Sequence, residues 1–191
     1  MAKIEIREAV PGDIPRLVEF LIKLDAHVAG VEADVLGLTR AGENQLRHRI
    51  ESFIDEHGKL LVVAEGSDGQ LVGMGNIHIW QFDDIWVNPE RRGLRSGYID
   101  DIWIEPEHRG GGLARRIVEA LVNFAAEQEI NELNLEYALH NPEAETFWSR
   151  LGFRPTGVRA SASLADVREH LNGTLGKHGR GGTAKTDRKK T

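Results

Sequence analysis

The chain has 191 residues, 40% of them hydrophobic, and a net charge of −6. That is enough apolar side chain for one domain with its own core and too much for a disordered chain. It contains no cysteine, which excludes disulfides, thiolate metal sites and a cysteine nucleophile.

No run reaches the ~20 apolar residues of a membrane span, and the opening MAKIEIREAV lacks the apolar core of a signal peptide. A soluble, cytoplasmic protein with no membrane partner is therefore expected. The charge is uneven. From Asn172 onward Lys177, Arg180, Lys185, Arg188, Lys189 and Lys190 stand against Asp187 alone, a tail of +5, which leaves −11 for the rest once the tail is taken from the net −6. An acidic body favours cationic partners or substrates and argues against a nucleic-acid surface.

In chain order, Ile4 and Ile6 alternate with polar neighbours in a first strand over 3–7. Pro11-Gly12-Asp13 is a turn, with Asp13 as helix N-cap. Ile14, Leu17, Val18, Leu21 and Ile22 then fall on one face of a helix. A mixed segment with Gly30 and Gly37 leads to a second helix over 42–56, with Leu46, Ile50, Phe53 and Ile54 inward.

KLLVVAEGSDGQLVGMGNIHIW reads as two strands joined at Ser67-Asp68-Gly69, a hairpin signal. QFDDIWVNPERRGLRSG is too rich in Gly, Pro and charge for a regular element and reads as a long loop or hairpin excursion. A strand follows over 98–104, then a helix over 112–129 with Ile117, Val118, Leu121, Val122 and Ala125 inward. A strand over 133–139, a helix over 142–151 stopped by Gly152, a strand over 154–159 and a short helix complete the pattern. The order β-α-α-β-β-β-α-β-α-β predicts an α/β or α+β domain around a mostly antiparallel sheet. The chain divides into a domain over 1–160, a short helix over 161–171 and a basic disordered tail over 172–191.

The stretch EPEHRGGGLARRI puts three glycines between a strand and a helix. Such a turn presents backbone N–H groups to an anion, and the helix end adds partial positive charge. The alternative is a tight connection with no ligand. A P-loop is absent, and Gly110-Gly111-Gly112 fails the dinucleotide pattern because Arg115 stands where its last glycine belongs. ATP and NAD are thereby disfavoured. The histidines show no metal-ligand spacing.

Arg109-Gly110-Gly111-Gly112-Leu113-Ala114 resembles the acetyl-CoA motif Gln/Arg-x-x-Gly-x-Gly/Ala of the GNAT family of N-acetyltransferases. A second block, LEYALHNPEAETFWSRLGF, is similar to that family's later motif, with Asn141, Ala144, Phe147-Trp148 and Gly152-Phe153 in place. IREAVPGDIPRLVEF resembles its first strand and helix, so the likeness covers residues 4–160. It implies the GNAT fold, a sheet splayed between the strand before the glycine loop and the strand after the next helix, with acetyl-CoA in the gap.

On this resemblance Ile102, Trp103 and Ile104 offer backbone to the pantetheine arm. Arg109, Gly110, Gly111, Gly112, Leu113 and Ala114, with Arg115, wrap the pyrophosphate. Asn141 touches the pantetheine, and Phe147 and Trp148 pack on the cofactor. Many relatives carry tyrosine where Trp148 stands, as the acid for the leaving thiolate. An indole is only a donor, so water, Tyr137 or His140 is left for that task. Tyr137 alternates with Leu135 and Leu139 and reads as core.

Acetyl transfer needs a neutral amine, and a carboxylate can hold the ammonium and accept its proton. Asp100 and Asp101 are the candidates. Strand parity puts them on opposite faces, so one faces substrate, and Asp101 is ranked first. The competing reading is a structural bond to a backbone N–H or an arginine. Around the acceptor the resemblance places segments 25–38 and 81–97. They carry Asp25, Glu32, Asp34, Asp83, Asp84 and Glu90 near Trp80 and Trp86. Acids beside aromatic platforms suit a polycationic amine, although Arg91, Arg92 and Arg95 oppose this.

The expected activity is acetyl transfer from acetyl-CoA to a small primary amine, for which an aminoglycoside-type antibiotic (hence antibiotic resistance) or a polyamine is the concrete candidate. Transfer is direct within a ternary complex, since no cysteine can carry the acyl group. The alternatives are a protein lysine or N-terminal acetyltransferase and a non-catalytic acyl-CoA-binding domain. Homodimers are common among the proteins it resembles, and the sequence leaves the oligomeric state open.

Overall fold

The computed structural model describes residues 3–35, 37–81, 95–157 and 160–177. The chain forms two compact units, Met1–Glu145 and Thr146–Thr191. The first unit holds β1 (Glu5–Glu8), α1 (Ile14–Ala29), α2 (Arg40–Asp55), β2 (Lys59–Glu65), β3 (Leu71–Gln81), β4 (Arg95–Ile104), α3 (Leu113–Glu127) and β5 (Leu133–Leu135). Helix α4 (Pro142–Arg150) crosses the boundary, and α5 (Leu164–Lys177) lies in the second unit.

The sheet runs β1-β2-β3-β4-β5. The first four strands are antiparallel and β5 joins β4 in parallel. This is the α/β architecture and mixed, mostly antiparallel sheet that the element order predicts. A parallel neighbour needs a crossover, and α3 supplies it.

Alternation assigns the two faces. Met74 and Trp103 join Leu17, Phe20 and Leu21 of α1 and Ile50 and Phe53 of α2 in one cluster. On the other face Gly75 lets α3 in. A Cβ there would stand 2.4 Å from Ile117 Cγ2 and 3.5 Å from Leu121 Cδ1. Ile77, Ile99, Ile117 and Leu121 are buried almost completely, each stabilising the fold by about 1.5–3 kcal/mol.

Several boundaries differ from the sequence reading. Asp13 stands at the N-cap of α1, as expected, but its side chain makes no capping bond to the helix. Its carboxylate takes Arg7 at 2.7 and 3.0 Å and the Val10 N–H at 2.9 Å instead. Thr39 caps α2 through Gly42. Val122, expected inward on α3, is exposed because the buried stripe follows Leu113, Ile117, Val118, Leu121 and Ala125.

Strand β5 stops at Leu135, and Leu139 is 82% exposed, so the alternation through Tyr137 does not continue as a strand. No strand forms over 154–157, the described part of the expected last strand. The expected short C-terminal helix is α5, which runs on past Leu171 to Lys177; residues 178–191 lie outside the described ones.

Candidate active site

Strand β4 is irregular where it matters. Its register with β3 pairs Gly75 with Ile102 and Ile77 with Ile99. Asp100 and Asp101 therefore oppose Asn76 alone, a β-bulge. A bulge re-aims side chains, and here it overturns the expectation that the two acids occupy opposite faces. Ile99 and Ile102 both turn to α3, and the two aspartates turn together toward α1 and α2.

Asp101 Oδ2 accepts from Arg49 Nη2 of α2 at 2.9 Å and from Asn76 Nδ2 at 3.0 Å. Asp100 Oδ2 lies 2.9 Å from His78 Nδ1. Burial pushes the Asp100 carboxyl above its usual value, against the pull of His78, and the charge of Asp101 adds to the rise. Asp25 of α1 is also raised, by desolvation and then by Asp101, while Arg49 opposes. The cluster thus holds three acids, one guanidinium and one imidazole. His78, Asn76 and Arg49 are absent from the sequence-based site. A signal existed for the first two: polar side chains at alternate positions of an otherwise apolar strand, on one face with Met74.

Beyond the bulge β4 loses its second neighbour. Among the described residues its ladder with β5 covers Gly97↔Leu133, Tyr98↔Asn134 and Ile99↔Leu135 and ends there. Glu105 donates its N–H to the Val72 carbonyl of β3. Strand alternation then turns the backbone of Trp103 toward β3 as well, and that of Ile102 and Ile104 toward the open side. Of the three residues expected to offer backbone, Trp103 is so corrected. Its ladder groups face β3, and its indole is buried in the core, with His27 at its edge and the Arg109 guanidinium 4.8 Å from the ring centroid.

The glycine loop follows directly. Arg109 Nε ties it to the Ile104 carbonyl at 2.9 Å. Gly110 and Gly112 have φ of 78° and 80°, a conformation that favours glycine. Gly112 is the N-cap of α3, no side chain caps that end, and the first helical bond runs from Arg116 N to the Gly112 carbonyl. The N–H groups of Leu113, Ala114 and Arg115 thus have no helical partner. A Cβ added at Gly110, Gly111 or Gly112 would meet no atom within 4 Å.

A family model described as the acetyltransferase (GNAT) family matches residues 36–153, and this span contains the bulge, the open edge and the glycine loop. The chain belongs to the GNAT family. Among solved structures, a predicted acetyltransferase with acetyl-CoA from Clostridium acetobutylicum is 22% identical, at a TM-score of 0.68 over 86% of this chain and 98% of that one. The BH1408 protein of Bacillus halodurans, as a tetramutant, is 20% identical with TM-score 0.68 over 84% and 99%. An aminoglycoside 6'-N-acetyltransferase from Acinetobacter baumannii is 16% identical with TM-score 0.58 over 84% and 97%. At these identities the likeness shows the shared fold. Nothing among curated proteins matches the chain.

As a GNAT protein the chain is an acetyl-CoA-dependent N-acetyltransferase. Its residues fit that cofactor. Unpaired N–H groups at a helix end with open space above three glycines suit a pyrophosphate, and the open edge at Ile102 and Ile104 suits an amide-bearing arm. Acetyl-CoA supplies the activated acetyl group.

The remaining expected residues separate. Asn141 spends its Oδ1 on the Ala144 N–H, capping α4. In the second unit Trp148 is buried, edge-on to Phe147 and Phe153 at 4.9 and 5.2 Å. Glu32 and Asp34 are exposed on the turn after α1, with no ion pair among the described residues. Asp83, Asp84 and Trp86 lie outside the described residues, as do Glu90, Arg91 and Arg92.

Proposed function

We propose that the acceptor is the primary amine of a small cationic molecule, and that Ile102, Ile104 and the loop from Arg109 to Arg115 hold acetyl-CoA. The observation that carries the acceptor class is the charge of the cluster. Asp101 repels both Asp25 and Asp100, with Arg49 as the guanidinium near all three and His78 on Asp100. Carboxylates that repel one another are relieved by a cationic ligand, which makes charge-assisted hydrogen bonds. A ring of aromatic side chains (Phe53, Trp80 and Tyr98 around His78) adds apolar surface beside them. The aminoglycoside acetyltransferase among the fold neighbours makes such polycations a fitting first panel.

The assay is thiol release from acetyl-CoA with aminoglycosides, polyamines, lysine peptides and protein N-termini. Turnover of small polycations is expected. Turnover restricted to peptides would replace this reading with a protein acetyltransferase. Within the site, Asp101→Asn is expected to raise KM for the amine about tenfold, the loss of one charge-assisted contact. An unchanged KM removes Asp101 from acceptor binding.

A further inference from the structure

We propose that His78 Nε2 takes the proton from the acceptor ammonium, with Asp100 as its positioning residue. This deepens the acetyltransferase reading and rests on it. No motif points to His78, which lies on β3, outside the two blocks that resemble the family.

The geometry carries the assignment. As a carboxylate Asp100 only accepts, so at 2.9 Å from Asp100 Oδ2 the imidazole donates from Nδ1. The lone pair is then on Nε2, which has no hydrogen-bond partner among the described residues. The rings of Phe53, Trp80 and Tyr98 lie beside that of His78, with centroids 6.3, 6.4 and 5.4 Å away. Its side chain keeps 24% exposure, enough for an amine or a water to reach it. Asp101, the acid ranked first from sequence, is differently employed: its Oδ2 already accepts from Arg49 and Asn76.

The surroundings supply other charges. From β4 come Asp100 and Asp101, from α2 Arg49, and from α1 Asp25. Lys59 of β2 pairs with His78 in the register, but its Nζ turns to Glu56 at 2.7 Å and Ser52 at 3.1 Å. A neutral imidazole with an unshared lone pair on one ring nitrogen can accept a proton, as a general base must.

The step balances. The ammonium gives one proton to Nε2. The amine lone pair forms the C–N bond to the acetyl carbonyl carbon, and the C–S bond breaks with its electron pair on sulfur. The second amine proton ends on that sulfur as the thiol, and His78 passes the first to water. One ammonium and one thioester yield one amide, one thiol and one proton.

The test compares kcat/KM against pH for wild type, His78→Gln and Asp100→Asn, with coenzyme A affinity measured by calorimetry. His78→Gln is expected to lose about 100-fold or more at neutral pH, with its acidic limb gone and cofactor affinity retained. Activity of His78→Gly is expected to return with added imidazole. Asp100→Asn keeps a base but shifts the limb. Nitrogen NMR of the wild-type imidazole, which needs no turnover, should show the proton on Nδ1. His78→Gln within about twofold of an active wild type at every pH, or the proton on Nε2, overturns the assignment. Wild-type turnover tests the acetyltransferase reading separately.

Discussion

Three adjacent glycines have two different reasons to be glycine. Gly110 and Gly112 need their left-handed backbone, with φ of 78° and 80°. Gly111 is not among the positive-φ residues, and an added Cβ there meets no protein atom within 4 Å. Gly111→Ala should therefore leave the melting temperature of the free protein unchanged and weaken coenzyme A about tenfold, since its methyl enters the space over the loop. Gly112→Ala should lose about 1–2 kcal/mol of stability as well. Equal cofactor affinity in Gly111→Ala and wild type would sink the cradle. The loop and the two aspartates were legible at this scale because each rests on local order of residues. Arg49 was not: nothing in α2 distinguishes the arginine that meets Asp101 from its neighbours Arg47 and Arg40.

At the scale of elements, the junction of β4 and the loop is fixed by a buried charge. Glu105 is 5% exposed. It accepts from Arg16 at 2.7 Å and Lys23 at 2.5 Å, both on α1. Replacing both cations with methionine strands the carboxylate, at a cost of about 3–5 kcal/mol. Glu105→Met should cost less, because each cation is 36% exposed and rehydrates. Urea unfolding of the two variants reads the order, and the reverse order refutes the argument. On the opposite face Gly75→Ala pushes a methyl to 2.4 Å from Ile117 and should destabilise by about 1–3 kcal/mol. The elements themselves were mostly readable from periodicity. The bulge was not, because two residues opposing one changes pairing without changing the pattern along β4.

For the whole molecule, acid stability has a nameable contributor. Hydrogen bonds from Arg7 hold the Asp13 carboxyl below its usual value, the Val10 N–H assists, and burial opposes. Arg7 also reaches Glu65 on β2, so the turn before α1 is tied to the sheet. A depressed carboxylate stabilises the fold above its unfolded value of ~3.9 and loses that contribution as pH falls through the folded value. Asp13→Asn should melt lower than wild type at neutral pH, with the gap closing below pH ~4. Parallel melting curves across that range would remove Asp13 from the acid response.

The sequence by itself determined the fold class, the glycine loop between β4 and α3 and the adjacent pair of acids. These depend on the period of apolar residues and on short runs whose chemistry is local. Only the tertiary structure decided where the acids point and what they bond. The bulge turned both to one face, Asn76 and Arg49 engaged Asp101, and His78, from a neighbouring strand, met Asp100. Such contacts come from register between strands and from the seating of a helix on a sheet. Both are set by packing across the core, which the order of residues along one strand does not encode.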